Sequence, residues 1–130
     1  MTKDEHIKYW IDTSENDWQI ALKLFESKDY LYSLFFAHLT IEKLSKAVCV
    51  KKRFDNYPPK THNILFIIEK AEYELTDEQK DFLLVLNNFQ LEGRYPDYKQ
   101  NIFKICTKAY TGNLYIKIKE IKDCLHKKLQ

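Results

Sequence analysis

The sequence predicts an all-α fold, a single domain over residues 1–130 built as an up-and-down bundle of four or five helices. Three observations predict it. Only 2 glycines and 3 prolines punctuate 130 residues, too few for the turns of a many-stranded β protein. Apolar residues recur at steps of three and four through long stretches free of both breakers. The chain is 45% hydrophobic and 15% aromatic, enough to fill the core of a domain this long, which buries roughly two-thirds of its unfolded surface.

The first helix is expected from about Lys3 to Ser27, with Ile7, Trp10, Ser14, Trp18, Ala21, Leu22 and Phe25 on one stripe. Asp29 is placed to cap a second helix, Tyr30 to Lys52. Apolar residues on that helix spill beyond a single stripe, because Phe36, Leu39 and Cys49 add to Leu34, Phe35, Ile41, Leu44 and Val48. It is therefore expected to be buried on more than one side and to lie at the centre. Asp55 to Lys60 forms the clearest loop, stiffened by Pro58 and Pro59. Thr61 is expected to cap a third helix carrying Leu65, Ile68, Ala71 and Leu75. Thr76 and Gln79 have the spacing of a capping box and open a fourth helix through Phe82, Val85, Leu86 and Phe89. Gly93 and Pro96 close that segment, and Asp97 opens a long last helix to about Lys128 that Gly112-Asn113 could bend or interrupt.

A formal charge of +2, with 31% charged residues of both signs, describes an ordinary soluble surface and does not by itself point to nucleic acid. Three unpaired-looking cysteines, Cys49, Cys106 and Cys124, fit free thiols in a reducing compartment. Cys124 and His126 lack the two further ligands a metal site needs, so neither metal nor cofactor is expected. No apolar run approaches the length of a membrane span, and the polar start MTKDEHIKYW is unlike a secretory signal. A cytoplasmic protein is the expectation.

The densest polar and aromatic cluster is Glu92 to Tyr98, where a helix ends and an Arg and an Asp flank a proline. Pro96 should hold Tyr95 extended, so that Arg94 and Asp97 project from fixed backbone. An arginine on such a corner can clamp a phosphate bidentately, or it can pair with a carboxylate on a neighbouring helix and fix the bundle. Glu42 and Lys46 stand at i and i+4 in the favourable order for a helix ion pair, worth about 0.3–0.5 kcal/mol if solvated. A sharper reading sets Glu42 across the bundle from Arg94. His62 falls at the start of the third helix, in a packing or capping place, and His38 sits among apolar neighbours as a hydrogen-bonded core histidine.

Together these stretches resemble the HEPN family. The central helix carries Asp29-Tyr30, Phe35, Ala37, His38, Glu42-Lys43 and Lys46-Ala47; Lys60-Thr61-His62 follows; Arg94-Tyr95-Pro96-Asp97 comes after the next helix. The match in order and spacing runs over roughly residues 5 to 110, and the terminal helix matches least well. The resemblance implies a four- or five-helix bundle that usually dimerises. It also implies pairing with a small nucleotidyltransferase encoded alongside, in toxin–antitoxin-like modules of bacteria and archaea. Many relatives are metal-independent ribonucleases in which a histidine follows the arginine by four to six residues.

This chain departs from that motif, holding Tyr98, Lys99 and Gln100 at the three positions. A phenol with the reference pKa near 10 is deprotonated only about one part in a thousand at neutral pH, and losing a general base costs roughly 10²–10⁴ in rate. The expectation is therefore a homodimeric partner protein that binds a nucleotidyltransferase, RNA or a nucleotide near Arg94, Tyr95, Asp97, Tyr98, Glu42, Lys46 and His62. Tyr95 and Tyr98 are the candidate acceptors of a nucleotidyl group. The alternatives are an endoribonuclease with a degraded motif, in which His62 or Lys46 stands in for the missing histidine, and a small-ligand-binding or structural bundle.

Overall fold

The computed structural model describes residues 1–53 and 57–130, so Asp55 and Asn56 of the expected loop lie outside the described residues. The chain is all-helical among those residues, as six helices: α1 (Lys3–Glu26), α2 (Tyr30–Lys52), α3 (Ile64–Lys70), α4 (Asp77–Asn87), α5 (Pro96–Ile105) and α6 (Lys108–Leu129). The central helix has the predicted bounds. The expected last helix is two, broken at Cys106-Thr107 rather than at Gly112-Asn113. Thr107 has extended backbone and accepts a hydrogen bond from the Tyr110 amide, which starts α6 afresh, and the helix then runs through Gly112 and Asn113 unbroken. Pro96 begins α5 at its first position, where a missing N–H costs nothing.

Caps explain most of the other boundaries. The Thr76–Gln79 capping box forms in both directions. Asn63, not Thr61, caps α3 by accepting from the Phe66 amide. Asp29 occupies the N-cap of α2 without a side-chain bond; Lys28, at φ 66, makes the reversal from α1, and the Asp29 amide donates to the Leu24 carbonyl.

Fourteen of the 23 residues of α2 are buried, including Leu34, Ala37, Ile41, Leu44 and Val48, so this helix is the axis of the molecule. Contacts along it fix the direction of its neighbours. The α1 residues Ala21, Asp17 and Lys3 meet Ser33, Lys43 and Val50 in turn, so α1 runs antiparallel to α2. Tyr115 meets Ser33 and Lys128 meets Lys51, so α6 runs parallel to α2. Between them the chain walks back along α2: Ile68 of α3 lies near Ile41, Asn87 of α4 bonds His38, and Phe103 of α5 lies beside Leu31. The up-and-down alternation thus holds, with three short helices together forming the arm that returns the chain to the start of α2 before α6 descends beside it.

Ser33 ties the three long helices together. Its hydroxyl donates to the Ala21 carbonyl of α1 at 2.8 Å, which leaves the buried Tyr115 hydroxyl of α6 to donate to Ser33. Burial pushes the Tyr115 phenol up to about 12. Cys49 and Cys106 are buried and Cys124 partly so, and burial raises the Cys106 thiol to about 11. Among the described residues no group of His, Cys, Asp or Glu is placed to hold a metal, and no helix is long and apolar enough to cross a membrane.

Candidate functional site

Glu42 lies midway along α2 with its side chain 3% exposed. A lone carboxylate at such depth is costly, so its oxygens must be occupied. Lys46, one turn on, brings Nζ to 3.2 Å from Oε2 and rests over the Trp10 ring of α1 at 5.2 Å from its centroid. His62, in the segment leading to α3, puts Nδ1 at 3.0 Å from Oε1. The other nitrogen of the same ring, Nε2, is 3.4 Å from Oε2 of Glu92. His62 is thus a bridge, half-exposed, between the buried carboxylate of the central helix and the segment that carries Arg94. It does not cap α3; its neighbour Asn63 does.

A second histidine faces Glu42 from one turn before it. His38 is fully buried, and its Nδ1 is 3.8 Å from Glu42 Oε1. Its Nε2 is 3.3 Å from Asn87 Oδ1, an atom that already accepts the Ile64 amide, so Nε2 must be the donor there. The Asn87 amide nitrogen in turn donates to Asn63 Oδ1 at 2.9 Å. A neutral His38 therefore keeps its proton on Nε2 and turns the Nδ1 lone pair toward a carboxylate, and Nδ1 has no hydrogen-bond partner among the described residues. Burial pulls the His38 pKa below its ordinary value against the opposing pull of Glu42.

The sign of the resulting pH dependence follows. Below about pH 6.5 the unfolded chain takes up a proton at this position that the folded protein resists. Stability should therefore fall with acid, by at most about 1.4 kcal/mol per pH unit, from pH 6.5 down to the lowered folded value. His126, also lowered by burial, acts in the same direction. Urea midpoints between pH 7 and 5 should show a shallower acid decline for His38→Gln than for the native chain.

The Arg94 corner has its own internal order. Gly93 takes φ 75, the left-handed region that glycine enters without strain. Arg94 then lays its guanidinium on the Tyr98 ring, 4.2 Å from the centroid, and directs Nε toward the Gln90 carbonyl at 3.4 Å. The Tyr98 hydroxyl donates to the Asn88 carbonyl at 2.6 Å, fixing the ring beneath the arginine. Tyr95 is extended, as Pro96 requires, and 82% exposed. Asp97 sits exposed in the first turn of α5, where a negative charge complements the helix dipole.

The structure thus gathers Glu42, Lys46 and His62 into one network and Arg94 and Tyr98 into an adjoining stack, joined through Glu92. Arg94 forms no ion pair among the described residues, and Glu42 is held by Lys46 and His62 rather than by Arg94. Sequence reasoning does not single out Asn87, Asn63 or Trp10 for the site. Asn63 carries a signal, a capping residue immediately before the apolar run Ile64-Leu65-Phe66; Asn87 and Trp10 join the network only through tertiary packing.

The chain is thus a small all-helical bundle whose buried carboxylate is neutralised by a lysine and a bridging histidine, beside an exposed Arg-Tyr-Pro-Asp corner. The model of the HEPN domain matches residues 7–128, and the chain belongs to that family. The match extends through α6, past the stretch in which the sequence motifs lie. Among solved structures, the crystal structure of TT1696 from Thermus thermophilus has the same fold, with a TM-score of 0.77 and 16% sequence identity, covering 95% of this chain and 98% of that one. A search of curated proteins finds no match.

Proposed function

We propose that this HEPN protein acts as a dimeric binding partner of a small nucleotidyltransferase in a toxin–antitoxin-like module, and takes RNA or nucleotide phosphate at the Arg94 corner. The observation that carries the reading is the stacking of Arg94 on Tyr98, which steadies the guanidinium while its terminal nitrogens have no partner among the described residues. An arginine held this way is prepaid in side-chain entropy for bidentate capture of a phosphate or carboxylate from another molecule. The adjoining network favours binding over catalysis, because Glu42 is already occupied by Lys46 and His62.

The test is calorimetric titration of the chain with a small nucleotidyltransferase, taken from the adjoining gene if one is encoded there, alongside light scattering to give the mass in solution. Arg94→Ala is expected to weaken binding at least tenfold, about 1.4 kcal/mol, with the melting temperature little changed. A loss of stability with unaltered binding would assign Arg94 to the scaffold instead. The same geometry separates the two tyrosines as nucleotidyl acceptors. The exposed Tyr95 hydroxyl can attack the α-phosphorus of ATP, forming a phenol–phosphate bond as pyrophosphate leaves, whereas the Tyr98 hydroxyl is engaged with Asn88. Incubating the pair with ATP should place any mass increase on Tyr95.

A second reading, a metal-independent endoribonuclease, is favoured by one observation. His62 is a half-exposed imidazole oriented by a buried carboxylate, as a general base is, and its Nε2 would be free to take a proton once the exposed Glu92 swings away. It predicts RNA cleavage without metal that both Arg94→Ala and His62→Ala abolish. RNA left intact by the pure protein removes it.

A further inference from the structure

The C-terminal ends of α2, α3 and α6 converge on a cavity of about 800 Å³. Lys51 and Lys52 line it from α2 and Arg53 from that helix's C-cap, Lys70 from α3 and Glu72 from the turn after it, and Lys128 from α6. Cations commonly settle at helix C-termini, where they satisfy carbonyls and the negative pole of the dipole. Part of the cluster does so. Lys51 Nζ donates to the Lys128 and Gln130 carbonyls at 3.0 Å each, and Lys3 donates to the Val50 and Arg53 carbonyls from outside the cavity. Yet each helix end supplies only about half an elementary charge, roughly −1.5 for three. With Arg53 left aside, the four lysines facing a single carboxylate still exceed that.

The excess is also crowded. Lys52 and Lys128 both lie over the Tyr73 ring, at 6.0 and 4.5 Å from its centroid, and Lys70 lies over Phe66 at 5.3 Å. Lys52, Lys70 and Lys128 have no carboxylate partner among the described residues. Like charges held together around one concavity destabilise the free protein and raise the local concentration of anions. The volume is that of a small-molecule site rather than of a flat track for a polymer.

We propose that this cavity is an anion site, separate from the Arg94 corner, that takes a di- or triphosphate group. Such a group is a multiply charged anion with several acceptor oxygens, the complement of Lys52, Lys70 and Lys128, unpaired with any carboxylate among the described residues. The group could arrive as inorganic polyphosphate or as part of a nucleotide.

Calorimetric titration of the full chain at low salt with inorganic triphosphate, and in parallel with ATP, tests it. In the Arg94→Ala background, which removes the corner's own phosphate contact, saturable 1:1 binding is expected, weakened at least tenfold when Lys52→Gln/Lys70→Gln is added. The charge-matched control Lys108→Gln/Lys119→Gln, exposed elsewhere on α6, should bind as the native chain does. Circular dichroism should show both variants folded. Equal affinity for the two probes identifies the phosphate chain alone as the ligand, and tighter ATP identifies a nucleotide; either upholds the site. No saturation below millimolar triphosphate, or equal weakening in both double variants, overturns it. So does binding confined to single-stranded RNA with triphosphate inert.

Discussion

Glu42→Ala is expected to destabilise the protein by about 3–5 kcal/mol, a large share of the roughly 5–15 kcal/mol that holds a domain of this kind together. The cost arises less from the ion pairs lost than from what they leave behind. Lys46, 12% exposed and set over Trp10, would keep its charge with no counterion, and His62 would lose the acceptor that holds it against α2. Glu42→Gln separates these contributions. Its amide oxygen can still accept from His62, so it should cost about half as much while leaving Lys46 short of a full negative charge. Urea unfolding at pH 7 measures both. A cost under about 1 kcal/mol for the alanine variant would mean that water reaches the site freely and the carboxylate does not organise this face.

Phe89→Ala should be comparably severe, at about 3–5 kcal/mol. The residue lies just beyond α4, outside any helix, yet its ring is fully buried beside Tyr110 at a centroid distance of 6.5 Å. The amides on either side are held by short-range bonds, Phe89 to Leu86 and Gln90 to Asn87, so the backbone cannot easily collapse into the space left behind. Phe103→Ala on α5 is the control. It removes the same ring from a position 62% exposed, and should change stability by no more than about 0.5 kcal/mol. Similar losses at the two positions would contradict the placement of the core.

The sequence is most legible where local chemistry and tertiary packing agree. Tyr30–Lys52 reads correctly at both ends because Asp29 marks the start, a burial pattern broader than one stripe marks the centre, and Pro58-Pro59 bar extension. Thr76 and Gln79 form the bond pair their spacing implies. Legibility fails where two signals compete. Thr107 offers an N-cap as good as any other, but Ile102, Cys106 and Tyr110 keep helical spacing straight through it, and periodicity hides the break. Gly112 draws attention as a breaker, yet a Cβ there would meet nothing within 4 Å, and the helix carries the glycine at only its ordinary propensity cost.

The site is legible in its parts and not in its wiring. Glu42 with Lys46 follows from a spacing of four, and the extended Tyr95 follows from Pro96. Nothing local says that His62, twenty residues on, reaches Glu42, or that its far nitrogen meets Glu92. Those contacts depend on how the chain returns along α2, which periodicity does not encode.

That return path bears on how the surface can change. The helix that follows Tyr95 is fastened by Ile102, the adjoining Cys106 and the Tyr98 ring with its bond to Asn88, while most of its other side chains, Phe103 and Ile105 included, lie open. Sequence drift on this short segment therefore meets weak resistance from the interior, while drift on α2 meets it at nearly every turn. A lineage could refit the exterior of this segment to a changed companion molecule by ordinary point substitution, and leave the tightly packed axis as it was.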